Sequence, residues 1–66
     1  MKNTVRVERA ILDMTQQDLA AAVGVSRQTI NSIESGKYVP SAVLALKIAR
    51  FFRKPAETIF LLEEGD

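Results

Sequence analysis

Residues 15–36 have the sequence TQQDLAAAVGVSRQTINSIESG, and this stretch decides the fold. Thr15 and Ser26 are residues that cap helix N-termini, and Asp18 stands three positions after Thr15, where an acidic side chain completes a capping box. Gly24 can adopt the left-handed conformation that ends a helix. The stretch therefore predicts two short helices joined by a tight turn.

The second helix of this pair, at about residues 26–35, has two different sides. Ile30 and Ile33 form an inward apolar side. Thr29 could contact DNA, with its hydroxyl on a phosphate or its methyl group on a thymine methyl. Polar side chains of these types can bind base edges in DNA. Arginine pairs with O6 and N7 of guanine, and glutamine or asparagine pairs with N7 and N6 of adenine. An ordinary helical hairpin with a solvated polar side has the same spacing, so the pattern alone leaves both interpretations open. The outward polar residues are Arg27, Gln28, Asn31 and Ser32.

The rest of the chain predicts three further helices within one domain, residues 1–66. Asn3 or Thr4 can cap a first helix that ends at about Asp13. The C-terminal segment TIFLLEE could finish as a short strand, for which MKNTV is the plausible partner, although two such strands are marginal alone. We therefore expect an all-α domain of five helices, with a small terminal two-stranded β element as an open alternative.

The fourth and fifth helices follow a loop, KYVP. Ser41 can cap the fourth helix, SAVLALKIARFF, and Pro55 suits the first turn of a short fifth helix, PAETIF. The fourth helix is apolar around much of its circumference, with Val43 and Leu46 among its apolar positions. This pattern predicts that the fourth helix is central to the core.

Composition limits the classes of function. The chain of 66 residues has no cysteine and no histidine, which excludes disulfides and thiolate or imidazole metal sites and removes the commonest general base. No base-activated nucleophile can be built, so we expect no enzymatic activity, no metal and no cofactor. No secretion signal and no apolar run of membrane-spanning length is present, and we expect a cytoplasmic protein.

The charge is unevenly distributed. The net charge is +1, but residues 1–54 carry +5 and residues 55–66 carry −4. A basic body with an acidic tail can present a positive surface to an anionic partner. Solvated charges without a partner explain the same numbers equally well.

The segment QQDLAAAVGVSRQTINSIESGKYVPS resembles the helix-turn-helix of phage-repressor-type regulators, the Cro and XRE group. The resemblance continues through the fourth and fifth helices, and it implies a lambda-repressor-like DNA-binding domain. The positions that meet the family pattern are Gln16, Leu19-Ala20, Gly24-Val25-Ser26, Ile30, Ile33-Glu34, Gly36-Lys37 and Pro40-Ser41.

The resemblance also implies roles for single residues. Gln16 corresponds to a glutamine that meets a phosphate at a helix N-terminus, and Arg9 and Glu34 match a structural ion pair. Arg27 and Gln28 fall on the main base-reading positions. The candidate DNA-binding residues are Gln16, Gln17, Arg27, Gln28, Thr29, Asn31, Ser32, Lys37 and Tyr38.

The resemblance implies a sequence-specific transcriptional regulator, most often a repressor, that binds a palindromic operator in double-stranded DNA as a homodimer. No membrane partner and no small-molecule ligand is evident. An antitoxin-type protein that also binds a toxin remains an alternative, and so does an interaction module without DNA binding, although the Arg27-Gln28 pair argues against the latter. For the dimer interface we expect the large C-terminal apolar residues, which could instead belong to the monomer core: Phe51, Phe60, Leu61 and Leu62.

Overall fold

Five helices and one pair of short strands make up the fold, in a computed structural model that describes all of residues 1–66. This confirms the prediction of five helices. It also confirms the alternative in which the C-terminal segment forms a small two-stranded β element with the N-terminus. No helix is both long enough and apolar enough to cross a membrane. In chain order the elements are β1 (Lys2–Asn3), α1 (Val5–Ile11), α2 (Gln16–Val23), α3 (Arg27–Glu34), α4 (Ala42–Phe52), α5 (Ala56–Ile59) and β2 (Phe60–Leu61).

Side-chain caps fix the starts of α2 and α3, and a glycine ends α2. The Thr15 hydroxyl accepts a hydrogen bond from the Asp18 backbone N–H at 3.0 Å, and the Asp18 carboxylate accepts one from the Thr15 N–H at 3.0 Å. Hydrogen bonding to Thr15 lowers the pKa of Asp18, and the backbone N–H of Thr15 has a larger effect than its hydroxyl. Gly24 then ends α2 with φ +79°, and Ser26 caps α3. Both helices therefore begin where the sequence predicts.

The first helix is shorter than the sequence predicts. It spans Val5–Ile11 and stops before Asp13, which adopts the left-handed conformation at φ +54° and so cannot continue a helix. Thr4 occupies the N-cap position, but its hydroxyl makes no capping bond. Instead, Asn3 Oδ1 accepts a hydrogen bond from the backbone N–H of Val5 at 3.2 Å.

Twelve buried apolar residues form one core. Ile30 and Ile33 of α3 are both 0% exposed, as their inward spacing predicts. As predicted, α4 is central to the core, since it supplies four of the twelve core residues, more than any other helix, but its apolar positions Val43 and Leu46 are 65% and 60% exposed. A chain of this size has too little core to surround a helix, so α4 buries one side only. The fully buried large side chains are Leu19, Ile30, Ile33, Ile48, Ile59 and Val5.

The two terminal strands pair antiparallel, with Asn3 opposite Phe60. Successive side chains of a strand point to opposite sides. Phe60 is accordingly 8% exposed in the core, whereas Leu61 is 40% exposed. Phe60 therefore belongs to the monomer core and is not available to the dimer interface assigned to it from the sequence.

An ion pair connects α1 to the end of α3. Arg9 Nε lies 2.8 Å from Glu34 Oε2, and Arg9 Nη2 donates to Glu34 Oε1 at 3.0 Å. The two side chains are 15% and 5% exposed. Burial pushes the pKa of Glu34 upward, but the hydrogen bonds from Arg9 and Gln16 and the charges of Arg9 and Arg6 outweigh it, so the pKa falls below its ordinary value.

Burial decides what an isoleucine-to-valine change costs in this fold. Ile48→Val removes a methylene from a side chain that is 0% exposed, and we expect it to lower the free energy of unfolding by about 0.5–1.5 kcal/mol. Ile11→Val makes the same change on a helical residue that is 66% exposed and should cost much less. Urea denaturation of both variants measures the difference, and equal losses would contradict the assigned core.

The ion pair predicts an acid-dependent loss of stability. Since the folded-state pKa of Glu34 lies below its ordinary value of 4.5, its contribution is present above that pH and is lost as the pH falls through the folded pKa. We expect Glu34→Gln to flatten this part of the curve of unfolding free energy against pH. Some slope remains, because Asp18 and Asp66 also have lowered pKa values. Urea unfolding at a series of pH values tests this, and an unchanged acid slope in the variant would refute it.

Candidate nucleic-acid interface

The outward side of α3 presents polar side chains to solvent. Arg27, Gln28 and Asn31 are exposed, and Thr29 and Ser32 are half-buried. The Thr29 hydroxyl lies 3.0 Å from the hydroxyl of the capping residue, so it is already engaged at the start of the helix. The side chains of Arg27, Gln28 and Asn31 thus face solvent, and all three have the chemistry to bind base edges.

The loop after α3 is held against the same surface. The backbone N–H groups of Lys37 and Tyr38 both donate to the Ser32 carbonyl, at 2.9 and 3.2 Å. The Lys37 side chain is exposed. Tyr38 lines a shallow depression together with Gln28, Thr29 and other residues of α3. These contacts place the loop residues beside the exposed side of α3.

The start of α2 lies on the other flank of α3. The backbone N–H groups of Gln16 and Gln17 have no partner within the protein, as is usual in the first turn of a helix. Gln17 is exposed. The side chain of Gln16 instead turns toward α3, where its Nε2 donates to Glu34 Oε1 at 3.1 Å and to Asn31 Oδ1 at 3.2 Å. An anion at this point would therefore be bound by the free backbone N–H groups and not by the side-chain amide of Gln16.

A polar cleft joins α1, α2 and α3 at this flank. Arg6 lines it and is exposed, and no acidic side chain pairs with it in the structure. Arg9, by contrast, donates one hydrogen bond from each of its three nitrogens, from Nη1 to the Met14 carbonyl at 2.7 Å and from the other two to Glu34. The residues of the cleft are Arg6, Arg9, Gln16, Asn31, Glu34 and Ser35.

Arg6 is a candidate that the sequence interpretation missed. It precedes Arg9 by three residues, a spacing that puts both on one side of α1. The spacing is visible in the sequence, but α1 lies outside the segment that resembles a helix-turn-helix. The structure brings Arg6 to the cleft that also contains Gln16 and Asn31.

The apolar residues assigned to a dimer interface lie on separate elements. Phe51 is 38% exposed near the end of α4, where it packs edge-on against Phe52. Leu61 in β2 is 40% exposed and Leu62, just after it, is 82% exposed. Apart from buried Phe60, these side chains remain accessible.

Comparison with known proteins agrees with this geometry. A family model described as helix-turn-helix matches residues 5–59. An HTH-type transcriptional regulator of Methanocaldococcus jannaschii is 53% identical over 66 residues, covering 100% of both chains. A second, from Bacillus subtilis, is 50% identical and covers 97% of each chain, and a third, from Archaeoglobus fulgidus, is 48% identical over 100% of this chain and 93% of its own. The chain therefore belongs to the Cro/C1-type helix-turn-helix family.

Proposed function

We propose that the protein is a sequence-specific transcriptional repressor that binds a palindromic operator as a homodimer. The observation that carries the proposal is the exposed polar side of α3, where Arg27, Gln28 and Asn31 project beside the loop of Lys37 and Tyr38. The names of the relatives, all HTH-type transcriptional regulators, support a regulatory role. A repressor of this kind acts by occupying a promoter that polymerase would otherwise use.

The two flanks of α3 suit the DNA backbone. On one flank, the free N–H groups of Gln16 and Gln17 and the exposed Arg6 offer donors and positive charge to phosphates. On the other flank, Lys37 and Tyr38 extend from a loop that is hydrogen-bonded to α3. Phosphates bound on both sides would set the depth and angle at which α3 enters the major groove.

Base recognition falls to the exposed side chains of α3. Arg27 lies at the start of α3, where a guanidinium can donate two hydrogen bonds to O6 and N7 of guanine. Gln28 can pair with N7 and N6 of adenine. Thr29 and Ser32 are half-buried, so they are suited to shorter contacts with a thymine methyl or a phosphate.

One arginine substitution and one lysine substitution separate recognition of bases from binding to the DNA backbone. Arg27→Ala should weaken binding to the operator and relax the requirement at one base pair, with a loss of about 1–3 kcal/mol. Lys37→Ala should weaken binding to all sequences and reduce the slope of log K against log salt by about 1. Fluorescence anisotropy with operator and random duplexes at several salt concentrations measures both effects. Equal losses on the two duplexes for Arg27→Ala would refute its base-reading role.

Dimerisation would bring two copies of α3 to half-sites about 34–36 Å apart. Phe51, Leu61 and Leu62 supply exposed apolar area at the C-terminal end of the chain. Large exposed apolar groups on a small protein are typical of an association surface. We assign the dimer contact to these three side chains.

A matched pair of leucine variants tests the assigned dimer surface. Leu62→Ser should shift the protein toward the monomer, since Leu62 is 82% exposed and would be covered only in the dimer. Leu12→Ser changes a leucine that is 53% exposed at the end of α1 and should leave association unchanged. Sedimentation equilibrium at micromolar concentration gives the masses. A wild-type protein of 7.3 kDa under these conditions would contradict the proposal.

A further inference from the structure

An open groove runs between the C-terminal half of α2 and the outer side of α4. On the α2 side it is lined by the small residues Ala21 and Ala22, and Gly24 closes it where the helix ends. On the α4 side it is lined by Phe51, a large apolar side chain that remains 38% exposed. This α2–α4 groove therefore leaves apolar surface in contact with water.

Two cations of α4 line the same groove. Lys47 and Arg50 are three residues apart on the helix, and both are exposed. No acidic side chain pairs with either of them, and no acidic residue lines the groove. Unpaired cations beside an apolar surface suit a partner that carries an apolar side chain next to a carboxylate.

The C-terminal tail of this chain, residues 61–66, has that composition. Its sequence is LLEEGD. Leu62 is 82% exposed, and Glu64 is exposed and has no ion-pair partner. The tail thus offers one free apolar group and one free carboxylate two residues apart, and its charge is opposite to that of the α2–α4 groove.

Within one copy the tail lies against the N-terminus. Glu63 and Asp66 bind the α-amino group of Met1 at 3.1 and 3.2 Å, and Leu61 pairs with Lys2 across the two strands. No residue of the tail lines the α2–α4 groove. The groove of each copy therefore remains open to the tail of another copy.

We propose that the tail of one copy docks in the α2–α4 groove of a second copy. Leu62 lies against Phe51 of the partner subunit. Glu64 lies beside Lys47 and Arg50 of the partner subunit. The inference rests on the proposed function, since it states how the homodimer is held. In a two-fold dimer each copy both gives its tail and receives one, so the contact is made twice.

This arrangement explains why the exposed apolar residues of the monomer lie on separate elements. Phe51 belongs to α4 and Leu62 follows β2, so a contact between the two needs two copies. A DNA phosphate could also bind Lys47 and Arg50, but it would leave Phe51 uncovered. The tail supplies both an apolar group and a negative charge, and it matches the groove more completely.

A charge swap tests the docking directly. Arg50→Glu and Glu64→Arg should each raise the dimer dissociation constant by about tenfold at low salt, because both copies of the contact change from attraction to repulsion. Combining the two substitutions should restore dimerisation, since the charges again have opposite signs. Sedimentation equilibrium measures the constants. A combined variant that is no better than the single variants would overturn the proposal.

Matched controls separate docking from net charge. Arg53→Glu changes an exposed arginine just after α4, and Glu57→Arg changes an exposed acid of α5. Each has the same net charge as the corresponding test variant and should leave the dissociation constant unchanged. An equal loss of dimerisation in the controls would refute a specific contact at the groove.

Cross-linking tests the same contact without reversing a charge. The chain has no cysteine, so an introduced thiol is unique. When Ala22→Cys and Leu62→Cys proteins are mixed and oxidised, a disulfide should join them, because docking brings these positions within the distance of about 7 Å that a disulfide requires. Ala10→Cys, on an exposed residue of α1, should not react with Leu62→Cys. Linkage of Leu62→Cys mainly to itself would refute docking in the groove.

The outcomes distinguish this inference from the proposed function. A wild-type protein that selects no sequence from a random DNA pool contradicts the proposed function, whereas the masses and cross-links are measured on the free protein. A dimer that both charge variants leave intact refutes only the docking. Arg50→Glu that loses operator binding but keeps its dimer would assign the groove to DNA and refute the docking as well. Assemblies that grow beyond the dimer would refute the reciprocal arrangement.

Discussion

The carboxylate of Glu34 is the point at which the first three helices meet. It receives hydrogen bonds from Arg9 on α1 and from Gln16 on α2, and it belongs to α3 itself. A negative charge near a helix C-terminus opposes the helix dipole, and burial adds a desolvation cost. Three donors offset both effects. Removing one partner would leave the other charge partly buried and uncompensated, which destabilises the domain.

The remaining stability depends on well-defined helix ends. Helices of eight residues are marginal in isolation, and the core of this chain contains only twelve buried residues. The side chains of Thr15, Ser26 and Ser41 each accept a hydrogen bond from the first turn of the following helix. These caps fix where each helix begins and hence the angle between α2 and α3. A small core can then hold the helices in place.

Local chemistry made part of this structure predictable. The caps at Thr15 and Ser26 and the turn at Gly24 act through residues a few positions apart, so their effects can be inferred from the sequence. The early end of α1 depends on Asp13 in a left-handed conformation, which a residue other than glycine rarely adopts. The burial of Phe60 depends on pairing with a strand almost sixty residues away in the chain. Such tertiary effects have no local signal.

In the candidate site, too, local spacing predicts some features and tertiary contacts decide others. The spacing of Arg27, Gln28 and Asn31 predicts which side chains are exposed, because helical period decides it. It does not predict that Gln16 turns its amide toward Asn31, since that depends on a carboxylate held by an arginine of another helix. Neutralisation of Glu34 by Arg9 has a second consequence, because an unpaired negative charge in the cleft would repel phosphates. Because Arg9 forms the ion pair with Glu34, Arg6 of the same cleft has no ion-pair partner and can offer its charge at the surface we assign to DNA.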